Sequence, residues 1–260
     1  MNKCYISNSV NTCPGCGLEL ALRSVMEVME ENTIIVIPPG CAALFSGFGK
    51  MTAMKIPGFQ GNLENTAAYA AGIRSGLDAQ GKTDVNVLAF AGDGATVDIG
   101  LQALSGMLER GERVVYICYD NEAYMNTGGQ KSGSTPRGAM TTTTPDGKTS
   151  MKKNMLSIVA AHKTPYIASA SVGYIADLKR KVAKAKCCPG PAYIHIHTPC
   201  PTGWGFPFHR TIEVARLAVE CGAWELFEIV NGDKVLSKIN IDKNKLCDYM
   251  AAQKRFSKQI

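Results

Sequence analysis

The chain has 260 residues, with 45% hydrophobic and 19% charged side chains. This suits one large folded domain, or one with a tail, and excludes a disordered chain. No apolar stretch reaches the ~18–20 residues of a membrane span, residues 1–10 (MNKCYISNSV) show no secretory segment, and the 26 glycines follow no G-X-Y period. The net charge of +6 suits acidic partners such as a nucleotide cofactor, coenzyme A or an acidic protein, with a plain solvated basic surface as the alternative, and no nucleic-acid motif accompanies it. A cytoplasmic protein without nucleic-acid or membrane partners is expected.

Taken in chain order, residues 17–32 place Leu18, Ala21, Leu22, Val25, Val28 and Met29 on one helical face. TIIVI (33–37) is a short β-branched run, hence a buried strand. An Ala-rich helix follows at 64–79, a strand near 86–92, and a helix at 98–111 with Asp98 as N-cap and Gly111 as its stop. Residues 113–120 form a third strand. A loop rich in Gly, Ser and Thr runs over 121–150, then come a helix (151–162), a strand (166–170), a helix (174–186) and a strand (192–197). Alternating strands and helices predict an α/β fold, a mostly parallel sheet covered by helices on both faces. Ligands in such folds lie beyond the C-terminal strand ends. Residues 1–210 read as the main domain and 211–260, charged and poor in Gly, as a helical C-terminal extension.

Two strand ends carry chemistry. The second strand, near 86–92, exits in GDG, Gly92–Asp93–Gly94, and the third ends in Asp120–Asn121, so Asn121 returns to the same sheet edge 28 residues after Asp93. The Asp93 carboxylate and the Asn121 amide oxygen, with a backbone carbonyl and phosphate oxygens, would complete an octahedral Mg²⁺ site. Gly92 and Gly94 allow close backbone approach, and a following helix N-terminus favours a diphosphate. A plain turn with a helix cap is the bland alternative. Val97 stands where a dinucleotide fingerprint needs a third glycine. GLDAQGKT (76–83) spells a P-loop but follows a helix, not a strand.

The ten cysteines of a long chain without a secretory segment point to metal or redox chemistry rather than a disulfide framework. CPGC brings Cys13 and Cys16 onto one turn. Cys41 follows a strand exit, and Cys200 follows the last strand. Four thiolates suit a [4Fe–4S] cluster or a structural Zn²⁺, and spacing does not choose between them; a redox C-x-x-C beside unrelated buried cysteines is the alternative. His195 and His197 share a strand face and read as satisfied sheet histidines before a metal pair. Cys187 and Cys188 read as packing residues.

TCPGCGLELALR, LENTAAYAAG, GDGATVDIGLQALSGMLERG, YICYDNEAYMNTGGQKSGSTPRGAMTTTTP and TPCPTGW together resemble the beta chains of the 2-oxoacid:ferredoxin oxidoreductase family, over about residues 10–208. The resemblance implies the diphosphate-binding half of a thiamine-diphosphate fold. It implies Mg²⁺ held by Asp93, Asn121 and the Ala123 carbonyl, and Cys13, Cys16, Cys41 and Cys200 as ligands of a [4Fe–4S] cluster. It puts Asn126 near the reacting carbon, with Glu64, Asn65 and Thr127 in segments near the cofactor. The implied reaction is reversible oxidative decarboxylation of a 2-oxoacid, with coenzyme A as acyl acceptor and electrons passed through the cluster to ferredoxin. The wording of DNEAYMNTGGQ leans towards pyruvate, with 2-oxoisovalerate or 2-oxoglutarate as alternatives, and a non-redox thiamine enzyme subunit as the reading outside this class. The carboxylate that activates the thiamine pyrimidine has no match here. The family places it on an alpha subunit, which implies that chain as a partner, with gamma and ferredoxin-like delta subunits beside it.

Overall fold

A computed structural model describes residues 4–47 and 49–259. Eight strands form one sheet: β1 (Thr33–Ile37), β2 (Gly58–Gln60), β3 (Asn86–Gly92), β4 (Val115–Asp120), β5 (Tyr166–Ser171), β6 (Ala192–His197), β7 (Phe227–Val230) and β8 (Asp233–Leu236). Their order is β2-β1-β3-β4-β6-β5-β7-β8, parallel through β5 and antiparallel for β7 and β8. The helices are α1 (Gly17–Met29), α2 (Ala43–Ser46), α3 (Thr66–Ala79), α4 (Leu101–Glu109), α5 (Met155–Ala161), α6 (Ile175–Lys186), α7 (Pro201–Trp204), α8 (Thr211–Glu220) and α9 (Leu246–Ala251).

The central strands are apolar on both faces because both are covered. Ile35, Ile37, Leu88, Phe90, Ile117 and Ile194 face α1 and α6. Val36, Val87, Ala89, Ala91 and Tyr116 face the side of α3, α4 and α5. The six parallel strands therefore send their C-terminal loops to one edge. β1 lies between β2 and β3, so successive connections leave it in opposite directions and open a crevice at the ends of β1 and β3. Gly40 and Cys41 stand on one side of it, Gly92 and Asp93 on the other. Among the described residues, no helix is long and apolar enough to cross a membrane.

Three expectations change. Asp98 does not cap a helix. A π-helical turn, Gly94–Asp98, follows β3 directly and α4 begins only at Leu101. The Thr96 hydroxyl donates to Gly92 O at 2.7 Å inside this turn, and the wider coil aims Asp98 at the polar loop, where it accepts from Tyr124 Oη at 3.1 Å and from Gly133 N at 3.0 Å. The helix expected over 151–162 starts at Met155, capped by the Asn154 side chain, which accepts from Ser157 N. Residues 211–260 are not purely helical: β7 and β8 extend the sheet on β5. Around them Trp204, Phe206, Val214, Trp224, Tyr249 and Phe256 form a third apolar cluster, so this segment is packed against the strand-end edge.

Candidate active site

The 121–150 loop is held by its own hydroxyls and one buried lysine. Thr135 Oγ1 donates to Glu122 O at 2.6 Å, and Lys148 Nζ donates to the carbonyls of Thr135 (2.7 Å) and Ser132 (3.1 Å). Ser132, Ser134 and Thr135 are buried. The Ser132 hydroxyl donates to Asp93 Oδ2, which ties the loop to the end of β3.

A cavity of about 140 Å³ lies here, lined by Gly92, Asp93, Gly94, Asn121, Ala123, Asn126 and Thr127 among others. Asp93 is fully buried, and burial pushes its carboxyl well above the usual range, with the nearby Asp120 adding to the effect and Ser132 opposing it. The Asn121 amide presents one atom 2.7 Å from Ala123 O and 3.2 Å from Asp93 Oδ1. As an oxygen it meets only acceptors. Either the amide turns to donate to both, or a cation sits among three converging oxygens. These are the three groups that the family resemblance assigns to Mg²⁺, and the donor set is all oxygen, as a hard cation requires. Gly94 has a reason the sequence did not disclose: a Cβ there would lie 2.2 Å from the Tyr124 ring, whose hydroxyl bonds Gly94 O and Asp98.

Beside it opens a cavity of about 740 Å³ lined by Cys13, Cys16, Cys41 and Cys200. Three loops deliver these sulfurs. Gly15, at φ +68°, makes the C-x-x-C turn; a Cβ there would strike Phe208 O. Burial pushes the Cys16 thiol up to about 11 and Cys41 up to about 12, and the neighbouring cysteines add to both shifts. Cys200 is raised by burial as well. Backbone N–H groups of Glu19 and Leu18 point at the Cys16 sulfur, and Gly203 N donates to Cys200 Sγ at 3.3 Å. Such donors stabilise thiolates once a positive centre has displaced the protons. Among the described residues, no group of three or more His, Cys, Asp or Glu side chains is gathered as for a single metal ion. All ten cysteines are free of disulfides.

Cys41, Asn121, Met125 and Asn126 line both cavities, so one layer of residues divides them. Glu64 and Asn65 line neither; Asn65 instead precedes α3 as its N-cap residue. His195 is satisfied between Asp120 Oδ2 (2.8 Å) and Tyr193 Oη (2.7 Å). His197 is buried against the Trp224 and Trp204 rings with no hydrogen-bond partner, and burial pushes it down to about 4. The two do not form a metal pair.

Beneath the strand ends lies an ionic chain with buried carboxylates and a partly exposed Lys152, which no local sequence pattern announced. Lys152 Nζ is 2.8 Å from both Asp120 and Glu122, and Arg255 Nη2 is 2.7 Å from Glu122. Burial works against ionising Asp120, yet Lys152 and His195 hold it well below the usual carboxylate range. Trp204 Nε1 donates to Asn121 O at 2.8 Å, so α7 supports the Asn121 turn. Ser132 lies in the Gly/Ser/Thr-rich loop visible in the sequence, whereas no local pattern marks Lys152 or Arg255.

The comparisons place this arrangement in a class. Residues 39–196, more than half of the chain, match the model for the thiamine pyrophosphate enzyme C-terminal TPP-binding domain. The backbone superposes on a chain of a 2-oxoglutarate:ferredoxin oxidoreductase from Magnetococcus marinus with TM-score 0.65 at 21% identity, covering 82% of this chain and 79% of that one; this likeness shows the fold. This is a thiamine-diphosphate-enzyme domain. Within that class, the chain is 51% identical over 249 residues to pyruvate synthase subunit PorB of Methanothermobacter thermautotrophicus, covering 94% of this chain and 86% of that one. It is 45% identical to ketoisovalerate oxidoreductase subunit VorB of Pyrococcus abyssi, covering 94% and 82%. The chain belongs to the family of these oxidoreductase subunits.

Proposed function

We infer that this chain is the thiamine-binding beta subunit of a 2-oxoacid:ferredoxin oxidoreductase, with pyruvate as its 2-oxoacid, coenzyme A as acyl acceptor and ferredoxin as electron acceptor. The observation that carries this reading is the shared wall. A cavity where oxygens of Asp93, Asn121 and Ala123 converge and a four-thiol cavity share Cys41, Asn121, Met125 and Asn126 in their walls. A non-redox thiamine enzyme has no use for the second cavity, and a simple electron carrier has none for the first. Pyruvate is preferred over 2-oxoisovalerate because the PorB relative is 51% identical and the VorB relative 45%.

Asp93, Asn121 and the Ala123 carbonyl would hold Mg²⁺, whose charge reverses the effect of burial and keeps Asp93 ionised. Gly92, Gly94 and Thr127 would border the diphosphate. Bound thiamine diphosphate supplies a carbanion centre that adds to a 2-oxo carbon and stores the electrons released with CO₂. Asn126, on the dividing wall, would orient the 2-oxo group. Cys13, Cys16, Cys41 and Cys200 would ligate a [4Fe–4S] cluster, which accepts single electrons across that wall. Four thiols spread around a cavity suit a cluster with volume of its own better than a single Zn²⁺. An alpha subunit would supply the carboxylate that activates the pyrimidine, with gamma and delta subunits relaying electrons in the cytoplasm.

The test is anaerobic purification with the native partners, separation of subunits without oxygen, and analysis of this chain for iron and acid-labile sulfide. About four of each is expected. One zinc, or no metal, refutes the cluster; pyruvate oxidation by the isolated chain refutes the need for an alpha subunit.

A further inference from the structure

We propose that Arg255 is the charge-setting residue of the four-cysteine site, where its buried guanidinium raises the reduction potential of the one-electron acceptor held there. The proposal rests on the cluster reading above and deepens it.

Among the described residues lining the four-cysteine cavity, only Lys254 and Arg255 carry a formal charge. Lys254 is exposed and its field is screened by water. Arg255 is 5% exposed, so its field acts through protein rather than solvent. The chain end is folded back to deliver it. Met140 N donates to Arg255 O at 2.8 Å. Gly205 leaves room for the tail, since a Cβ there would lie 2.8 Å from Lys254 Cβ.

The guanidinium is fixed on every side. It stacks 3.5 Å from the centre of the Trp204 ring. Its Nη2 lies 2.7 Å from Glu122 Oε2 and 3.2 Å from Tyr249 Oη, and its Nε donates to Gln253 Oε1 at 2.7 Å. Stacking with a planar fork is a geometry that lysine does not reproduce. Glu122 does not cancel this charge towards the sulfurs, because it is shared with Lys152, which also binds Asp120. Two anions and two cations alternate along the chain Asp120–Lys152–Glu122–Arg255, and the terminal cation is the one that faces the cysteines. Arg255 also opposes the burial that raises the Cys200 thiol.

Four thiolates around an iron–sulfur core carry net negative charge, which grows by one when an electron arrives. A buried cation favours the reduced form most. The electron comes from oxidation of the 2-oxoacid, so the residue eases that transfer without touching substrate.

The experiment is an EPR-monitored redox titration of the assembled enzyme, in which the signal of this chain is the one that Cys200→Ser removes. Arg255→Met is expected to lower the reduced-to-oxidised ratio at fixed poise about tenfold, a shift of about 59 mV for one electron. Glu122→Gln is expected to shift it the other way. Arg255→Lys is expected to hold the potential while lowering thermal stability. A wild-type enzyme with no signal that Cys200→Ser removes overturns the cluster reading itself. An intact signal with unchanged potential in Arg255→Met, or a downward shift in Glu122→Gln, overturns the role of Arg255 alone. If Arg255→Met fails to assemble, the direction of the shift in Glu122→Gln decides the matter.

Discussion

The two halves of the site are built differently. The half proposed to hold a cation stands on β3 and β4, adjacent strands in register from Leu88↔Val115 to Gly92↔Tyr119, and its Asp93 carboxylate is fully buried under a loop that bonds back to it. The cysteine half is assembled from three loops far apart in sequence, and Cys13 is exposed. A hard cation needs a few oxygens held to a fraction of an ångström, which paired strands provide. A cluster brings its own rigid core and needs four thiolates with adequate reach, which loops provide.

That contrast is best broken at Asp93. Asp93→Asn is expected to reduce pyruvate oxidation by roughly a hundredfold or more, since loss even of an outer-shell partner costs 10–100-fold. It should leave the free protein no less stable, because the carboxyl it replaces is buried at a raised pKa. A pyruvate-oxidation assay of the assembled enzyme checks the first, and calorimetry with and without Mg²⁺–thiamine diphosphate the second; a destabilised apo-protein contradicts the account. Cys200→Ser tests the other half. Cluster iron should be lost from this chain while thiamine diphosphate still binds, measured by tryptophan fluorescence titration; loss of both would mean the halves are one folding unit.

Trp204 connects them, with its indole on Asn121 O and its ring under Arg255. Trp204→Phe is expected to cost about 2–4 kcal/mol of unfolding free energy, measured by denaturant titration, from an unpaired carbonyl and lost packing, with weaker Mg²⁺ binding. The smallest effect is at His197. Its folded pKa of about 4 lies below the ordinary 6.5, so in that interval the unfolded chain binds more protons and stability falls as pH falls. Lowering the pH from 7 to 5.5 should cost the wild type about 1 kcal/mol more than His197→Phe; equal pH dependence would show that His197 is not buried neutral.

Residues near in sequence, or at repeating strand ends, were readable without coordinates. Asp93 and Asn121 are one helix and one strand apart, so periodicity alone returns both to one edge. β1 and β3 announced themselves by apolar runs, since a parallel sheet buried on both faces needs no alternation. β7 and β8 did not: FEIV and DKVL are short and partly exposed, and they become strands only because β5 offers an unpaired edge. Asp98 looked like a cap because Asp is common there, but tertiary partners in Tyr124 and Gly133 claimed it.

The sequence by itself made legible the parallel core of the sheet, the return of Asp93 and Asn121 to one strand-end edge, and the cysteines of the strand-end loops, because these rest on local periodicity and on the chemistry of residue types. Only the tertiary structure decided that one wall separates the two cavities, that α7 supports the Asn121 turn, and that Arg255 returns from the chain end to face the cysteines. Those juxtapositions join segments far apart in sequence; Trp204 and Asn121, for example, are 83 residues apart. No local pattern encodes such pairings; they follow from packing the last turn of the chain against the strand-end edge.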